Sequence, residues 1–202
     1  SGKRRSSVKQ FLHPLTSILK EFAIPKVRVD IEFRPVSRGV VLDPSGNSKM
    51  CGPDGLEDVE ILFSANPGEQ LQPLRKVASG GELSRVMLAL RSLEAAKADL
   101  FTMVFDEVDA GISGHAASRI AERLSLLGER HQVIYVTHQA ALAVVAHRHY
   151  IVEKFVEKAR TRTVIACADG DTRRMEISRL LDGGKRTGAS LVLADEMLRN
   201  EK

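Results

Sequence analysis

Two short apolar runs, separated by a helical segment, constrain the fold of this chain more than any other feature. The first covers residues 101–105 and ends in Asp106-Glu107, and the second covers residues 133–136 and ends in Thr137-His138-Gln139. Between them, residues 113–127 carry the periodicity of an amphipathic helix. This order predicts parallel strands joined by a right-handed crossover. Because both runs are almost continuously apolar, we expect these strands to be covered on both faces.

Polar side chains follow each of these strands at its carboxyl end, where open α/β sheets bind their ligands. Asp106 and Glu107 offer the oxygen ligands that Mg²⁺ prefers, and a carboxylate placed here can also accept a proton from water. His138 stands at the end of the next strand. Adjacent acids and a single histidine at strand ends are also common as solvated or capping residues, so these residues alone leave both interpretations open.

A third polar stretch, Ser79-Gly80-Gly81-Glu82, precedes the helical run of residues 86–91. Glycine lacks a Cβ atom, so another molecule can approach its backbone closely. The first N–H groups of a helix have no partner within the helix and carry the positive end of its dipole. The stretch therefore predicts a phosphate-binding helix N-terminus, although a serine N-cap followed by two turn glycines gives the same pattern.

In their order along the chain, these stretches resemble four motifs of the ABC-type ATPases. Residues 77–85 resemble the signature, and residues 101–107 resemble the Walker B strand with its acids. Val108-Asp109-Ala110-Gly111 resembles the D-loop, and residues 136–139 resemble the segment of the switch histidine. Any one of these motifs is weak evidence, whereas four in this order are specific.

The resemblance implies a role for each candidate site residue. Asp106 would hold Mg²⁺, and Glu107 would polarise or deprotonate the water that attacks the γ-phosphate of ATP. His138 would contact the γ-phosphate and help to orient that water. Asp109 would communicate across a dimer, and the Ser79–Glu82 stretch would reach the nucleotide of the opposite subunit.

One part of a complete nucleotide site is missing from the sequence, because no G-x-x-x-x-G-K-[ST] pattern occurs. That Walker A loop supplies the backbone cradle and the lysine for the phosphates, so we interpret the chain as the C-terminal lobe of a split head. Split heads whose lobes are separated by a long coiled coil are typical of the SMC-like proteins. Within that group, the motifs and segments 63–69 and 176–181 resemble the RecN family of bacterial DNA repair ATPases. Thr102 and His115 depart from the family pattern without changing this interpretation.

The rest of the sequence predicts an arm, an antiparallel sheet and further helices. Apolar residues mostly three or four apart between Val8 and Phe22 predict a helix, kinked or starting late at Pro14, that ends a coiled-coil arm over residues 1–24. Residues 25–202 form the predicted head lobe. Its other predicted elements are antiparallel strands over 26–33 and 59–63, a loop-rich segment over 34–58, a β-hairpin of strands 150–155 and 161–168, and helices near 139–146, 173–181 and 188–199.

The composition is that of an ordinary globular domain with a small positive charge. The net charge of +4 permits contact with a polyanion, whereas the absence of Trp gives no sign of base stacking. No run is long and apolar enough to span a membrane, and no signal peptide is visible. Cys51 and Cys167 form no metal or redox motif, which favours free thiols in a reducing cytoplasm.

The resemblance implies an Mg²⁺-dependent ATPase that acts in DNA double-strand break repair and recombination. Its implied partners are the N-terminal lobe of the same head, a second copy bound through the heads and the coiled coil, and DNA; no membrane is implied, and the location is the cytoplasm, at the nucleoid. We expect this chain alone to be inactive, because it lacks Walker A. The alternatives are a fragment of a transporter-type ABC ATPase and a structural cohesin-like DNA clamp with vestigial hydrolysis; Glu107 and His138 argue against the clamp.

Overall fold

The structure, a computed structural model, describes residues 2–42, 49–77, 79–95, 99–157, 160–185 and 187–200. Its residues divide into two units, 1–98 and 99–202. Each unit combines helices with β-strands, and parallel as well as antiparallel pairing occurs, which confirms the α/β class. Part of the predicted 34–58 segment, the signature residue Ala78 and the hairpin-turn residues 158–159 lie outside the described residues.

The first unit begins with helix α1, Gly2–Glu21, which contains Pro14. The predicted helix is confirmed, but the predicted start near Val8 or Pro14 was wrong. The first turns are polar, so they carry no apolar periodicity that could reveal a helix. The hydroxyls of Ser6 and Ser7 donate to the carbonyl oxygen of Lys3 at 2.9 and 3.0 Å, within the first turns of the helix.

The C-terminal half of α1 anchors the core of the first unit. It packs against helix α2, Gly80–Glu94, and against strand β1, Arg28–Pro35. A 3₁₀ helix, Leu74–Lys76, leads into α2. The buried apolar residues of this unit are Leu15, Ile18, Leu19, Phe22, Ile24, Val27, Phe63, Val86, Leu88 and Ala89.

Strand β1 pairs antiparallel with the second long strand of the unit, as predicted. Two short strands, β2 (Val40–Leu42) and β3 (Lys49–Cys51), form a separate antiparallel pair, so the prediction of an irregular 34–58 segment was wrong in part. Strand β4, Glu57–Ser64, lies beside β1 with Ile31 opposite Ile61, and β5, Gln72–Pro73, adds a short third strand. This sheet leads the chain up to the signature stretch.

The second unit contains the predicted parallel pair. Strand β6, Thr102–Phe105, lies parallel to β7, Gln132–Tyr135, and helix α3, His115–Gly128, connects them. Helix α4, Ala140–Val144, follows β7 and is shorter than predicted. Both strands therefore end at the same edge of the pair, which brings the polar residues that follow them close together.

One face of this parallel pair is open, contrary to the expectation that both faces are covered. Val104 is 69% exposed, Ile134 is 48% exposed and Val136 is 61% exposed, whereas Met103 and Phe105 point into the core. Among the described residues, helix α3 packs against β7. An apolar face of this kind normally lies against another layer of structure.

The remaining elements are a hairpin and two helices. Strands β8, His149–Glu157, and β9, Arg160–Ala168, pair antiparallel as predicted. Helices α5, Gly170–Leu181, and α6, Gly188–Asn200, pack on each other and are linked by the bidentate contact of Arg174 with Asp195 at 2.6 and 3.0 Å. Within the described part of the chain, no helix combines the length and apolar character needed to cross a membrane.

Candidate active site

The carboxyl end of β6 carries two exposed acids on a tight turn. Asp106 and Glu107 are both exposed, and the Asp106 Oδ1 atom accepts a hydrogen bond from the Glu107 backbone N–H at 3.0 Å. Glu107 has a φ of +57°, and its carbonyl oxygen accepts from the N–H of Ala110 at 3.0 Å. A non-glycine residue in the left-handed region is strained, and such strain is concentrated at functional sites.

Asp109, two residues further along, is buried. It is 2% exposed, and its Oδ2 atom accepts hydrogen bonds from the hydroxyl of Thr137 and from the backbone N–H of His138, the latter at 3.0 Å. The side chain therefore connects the turn after β6 to the segment after β7. Burial keeps the Asp109 carboxylate inside its own unit, where it holds the neighbouring segment.

His138 lies beside this carboxylate and is open to solvent. Its side chain is 70% exposed, and its Nδ1 atom lies 3.3 Å from Oδ2 of Asp109. On the other side of the ring, Nε2 lies 3.3 Å from the Nε2 atom of Gln139. The amide of Gln139 also donates to the carbonyl oxygen of Ile112 at 3.1 Å. The histidine is thus fixed from both sides while remaining accessible.

The structure brings several of the predicted site residues together within the second unit. The acids of the β6 turn and Asp109 belong to one continuous turn, and His138 is tied to that turn through Asp109. Thr137 and Gln139 were not predicted to have any function. Their only sequence signal was their position as polar residues directly after an apolar strand.

The signature stretch belongs to the first unit and begins α2. Ser79 is its N-cap, and the Ser79 Oγ atom accepts from the backbone N–H of Glu82 at 3.3 Å. Ser79 and Gly80 are exposed, whereas Gly81 is buried. A hydroxyl that accepts here can still donate its own hydrogen to an anion. The capping and phosphate-binding interpretations of this serine are therefore compatible.

Charge around the start of α2 is mixed. Arg85 is only 6% exposed, and this burial lowers the pKa of its guanidinium, while the charge of Glu82 acts in the opposite direction. The helix N-terminus itself contributes a partial positive charge. An anion approaching Ser79 would therefore meet the helix dipole and hydroxyl first, with the arginine held back inside the unit.

The acidic turn has the donor set that Mg²⁺ requires. Asp106 and Glu107 offer exposed carboxylate oxygens, and Mg²⁺ takes one or two carboxylates while phosphates and waters complete its octahedron. Among the described residues, no group of three or more His, Cys, Asp or Glu side chains could hold a metal on its own. A site completed by the phosphates of a substrate is consistent with both observations.

Comparison with known proteins relates the chain to one group of repair proteins. No protein-family model matches it. It is 43% identical over 195 residues to the DNA repair protein RecN of Deinococcus radiodurans, covering 96% of this chain and 32% of that protein. It is 37% identical over 199 residues to RecN of Treponema pallidum, covering 98% of this chain and 34% of that protein. RecN of Bacillus subtilis is 34% identical over 199 residues, with 97% and 34% covered.

A solved structure of a Smc head domain with a coiled coil, from Pyrococcus yayanosii, is also similar to the chain. It has 17% identity and a TM-score of 0.48, and the similarity covers 85% of this chain and 28% of the other. The curated relatives carry the assignment, because they match nearly the whole chain at 34–43% identity. The chain spans about a third of the length of these relatives, and as such a segment it belongs to the RecN family of DNA repair proteins.

Proposed function

We propose that this chain is the C-terminal lobe of an SMC-like, ABC-type ATPase head that acts in DNA double-strand break repair and recombination. The observation that carries the proposal is the edge of the β6–β7 pair, where two exposed carboxylates and an exposed histidine are held together through Asp109. The relatives described above are each named as DNA repair proteins, which supports the biological role. Residues 1–24 would end a coiled-coil arm, and residues 25–202 would form the lobe.

The acids of the turn divide the chemical work. Asp106 would hold Mg²⁺, which would neutralise charge on the phosphates of ATP. Glu107 lies one residue further along the same turn and accepts the proton of the attacking water. His138 is positioned at the neighbouring strand end, where it orients that water. This arrangement needs a nucleotide whose phosphates reach the edge of the parallel pair.

The phosphate cradle comes from another lobe in this proposal. The sequence contains no Walker A pattern, and the open apolar face formed by Val104, Ile134 and Val136 offers a place for a further layer of structure. The N-terminal lobe of the same head would cover that face and supply the cradle and its lysine. Two heads would then sandwich ATP, with the Ser79–Glu82 stretch of one facing the nucleotide of the other, in contact with DNA in the cytoplasm at the nucleoid.

The proposal is tested by Glu107→Gln in the full-length protein. Glutamine keeps the shape of the side chain but cannot accept a proton, so hydrolysis should fall by about 10²-fold or more while ATP binding is retained. ATP turnover and nucleotide binding are measured on the same preparation. Glu129→Gln, at an exposed position after α3, is the matched control and should hydrolyse ATP normally. Turnover by Glu107→Gln within a few-fold of wild type would exclude Glu107 as the base.

A further inference from the structure

A single carboxylate oxygen accepts the hydrogen bonds that hold the segment carrying His138. Oδ2 of Asp109 accepts from the Thr137 hydroxyl and from the His138 backbone N–H at 3.0 Å, and it lies 3.3 Å from Nδ1 of the imidazole. Asp109 is 2% exposed, so water does not compete for these contacts. A buried oxygen that accepts several hydrogen bonds is fixed in one position by them. The same bonds fix the positions of its donors.

The contacts of Gln139 identify which imidazole nitrogen carries the proton. Its Nε2 atom lies 3.1 Å from the carbonyl oxygen of Ile112, and a carbonyl only accepts, so the atom facing it is the amide NH₂. The same NH₂ lies 3.3 Å from Nε2 of His138. Because an amide NH₂ only donates, Nε2 of the ring is an acceptor, and the proton of the neutral ring is on Nδ1.

The position of Asp109 is compatible with this tautomer. Gln139 faces Nε2 as a donor, and Oδ2 of Asp109 lies 3.3 Å from Nδ1, the nitrogen that then carries the proton. The hydrogen bond made by one ring nitrogen determines the state of the other. Since the side chain of His138 is 70% exposed, Nε2 remains within reach of a ligand.

We propose that Asp109 is a positioning residue of its own chain: with Gln139, it holds His138 as the Nδ1–H tautomer and presents Nε2 as an acceptor for the attacking water. The water and nucleotide in this inference rest on the proposed function, whereas the tautomer does not. Both roles differ from those implied by the resemblance, in which Asp109 acts across the dimer and His138 contacts the γ-phosphate, because an unprotonated Nε2 cannot donate to a phosphate oxygen.

The tautomer is measured directly on the 202-residue chain by NMR with ¹⁵N-labelled histidine, at high pH so that the neutral ring is observed. His138→Gln identifies the signals of His138 among the six histidines. We expect Nδ1 to be the protonated nitrogen. An Nε2–H ring, or an even mixture of tautomers, would overturn the inference whatever the outcome of any ATPase assay.

Two variants of Asp109 in the full-length protein separate positioning from general destabilisation. Asn keeps an oxygen that can accept from Thr137 and His138, whereas Leu has a similar size and no acceptor. We expect Asp109→Leu and His138→Ala each to lower kcat for ATP by about 10²-fold, with little change in KM. Asp109→Asn should stay within about tenfold of wild type. The double variant of Asp109→Leu with His138→Ala should lose no more than either one alone.

Equal losses for Asp109→Asn and Asp109→Leu, or additive losses in the double variant, would contradict positioning through His138. If Asp109→Leu fails to fold, the NMR measurement on the wild-type chain still decides the inference. Folding of each variant is checked by circular dichroism before its kinetics are compared.

Mixed dimers distinguish action within a chain from action across the dimer. Asp109→Leu mixed with His138→Ala should recover no activity, because each site then carries one defect. Ser79→Arg mixed with Glu107→Gln is the control: the arginine blocks the signature for the partner's nucleotide, so the mixture should recover roughly a quarter of wild-type activity. Recovery in the Asp109 mixture would show that Asp109 serves the partner's site. With heterodimer formation confirmed separately, no recovery in the control would count against the trans arrangement of the proposed sandwich or show that both sites must act together, leaving the tautomer result intact.

Discussion

At the scale of single residues, the backbone of Glu107 is the most informative feature of the site. Its φ of +57° places a glutamate in a region that glycine and asparagine normally occupy. Among the described non-glycine residues, only Ala23, with a φ of +61°, shares this region. A strained residue at a strand end is retained when its side chain is needed there. The strain and the exposed carboxylate therefore both support the proposed role of Glu107 as the base that accepts a proton from water.

Replacement of Glu107 by glycine should increase stability while it removes hydrolysis. Glycine relieves the left-handed strain, which we expect to raise the free energy of unfolding by about 1 kcal/mol. Ala23→Gly is the matched control, because it relieves similar strain in the other unit and should leave ATP turnover unchanged. Urea unfolding and ATPase assays on both variants check the prediction. A loss of stability in Glu107→Gly would show that its conformation is not strained.

The sequence could predict which residues lie at the strand ends. It could not predict the backbone conformation or the hydrogen bonds that fix them there. Asp106, Glu107 and His138 were found because apolar runs end at them. The left-handed turn at Glu107 has no sequence signature, since glycine is the residue expected there. The burial of Asp109 depends on a contact with residues 137–138, which are distant in sequence, and local patterns carry no information about such contacts.

At the scale of elements, helices and strands were predicted best where the segment was long and its apolar residues recurred regularly. The alternation of β1 and the apolar runs of β6 and β7 were recognised because burial imposes a regular pattern. The short strands β2 and β3 were missed, because Val40 is 69% exposed and Val41 is 56% exposed, so neither is part of a buried face. The open face of the parallel pair was missed for a different reason: an apolar run looks the same whether its second face is covered within the chain or by something else.

The start of β8 contains a histidine from which we expect the second unit to lose stability in acid. His149 is partly buried, and its Nδ1 atom has no hydrogen-bond partner among the described residues. Burial lowers the pKa of His149, Arg173 lowers it further, and Glu176 on the same helix partly opposes them. A histidine whose folded pKa lies below the ordinary 6.5 takes up its proton more readily in the unfolded chain. Stability is therefore complete above that pH and decreases as the pH falls below it.

His149→Gln should reduce this loss of stability in acid. Glutamine does not titrate, so the difference in the free energy of unfolding between about pH 8 and about pH 5 should be smaller than in the wild type. His147→Gln, at an exposed position two residues earlier, serves as the control and should retain the wild-type difference. Denaturant unfolding at the two pH values provides the measurement. Identical pH dependence in His149→Gln and wild type would rule out this histidine as the cause.

At the scale of the whole molecule, the proposed function gives this chain only part of a nucleotide site. Its relatives are about three times as long, and the exposed apolar face of the β6–β7 pair lies in the same unit as the acids and His138. A nucleotide bound only by the acids and His138 would lack most of its phosphate ligands. We therefore expect the missing phosphate contacts to weaken the binding of ATP first, before they affect the hydrolysis step.

We accordingly expect the 202-residue chain to bind ATP weakly and to hydrolyse none. Isothermal titration calorimetry with ATP and Mg²⁺ measures binding, and phosphate release measures turnover. Addition of the separately produced N-terminal lobe is the reconstitution control and should restore both. Micromolar affinity, or steady turnover like that of a complete head, in the chain alone would contradict the split-lobe proposal.

The way in which helix α1 is attached to the first unit determines how a force on the helix would be transmitted. A helix of 20 residues is about 30 Å long, and only its C-terminal half, through Leu15, Ile18 and Leu19, is buried against the first unit. The polar half is also attached to the unit, because Arg5 pairs with Glu57 at the start of β4 and lies 4.5 Å over the ring of Phe33 in β1. A displacement of the helix near Gly2 would therefore act on the β1–β4 sheet as well as on α2, whose first turn begins at the signature. If residues 1–24 end an arm, as proposed, a pull on that arm would move the sheet and the signature helix together.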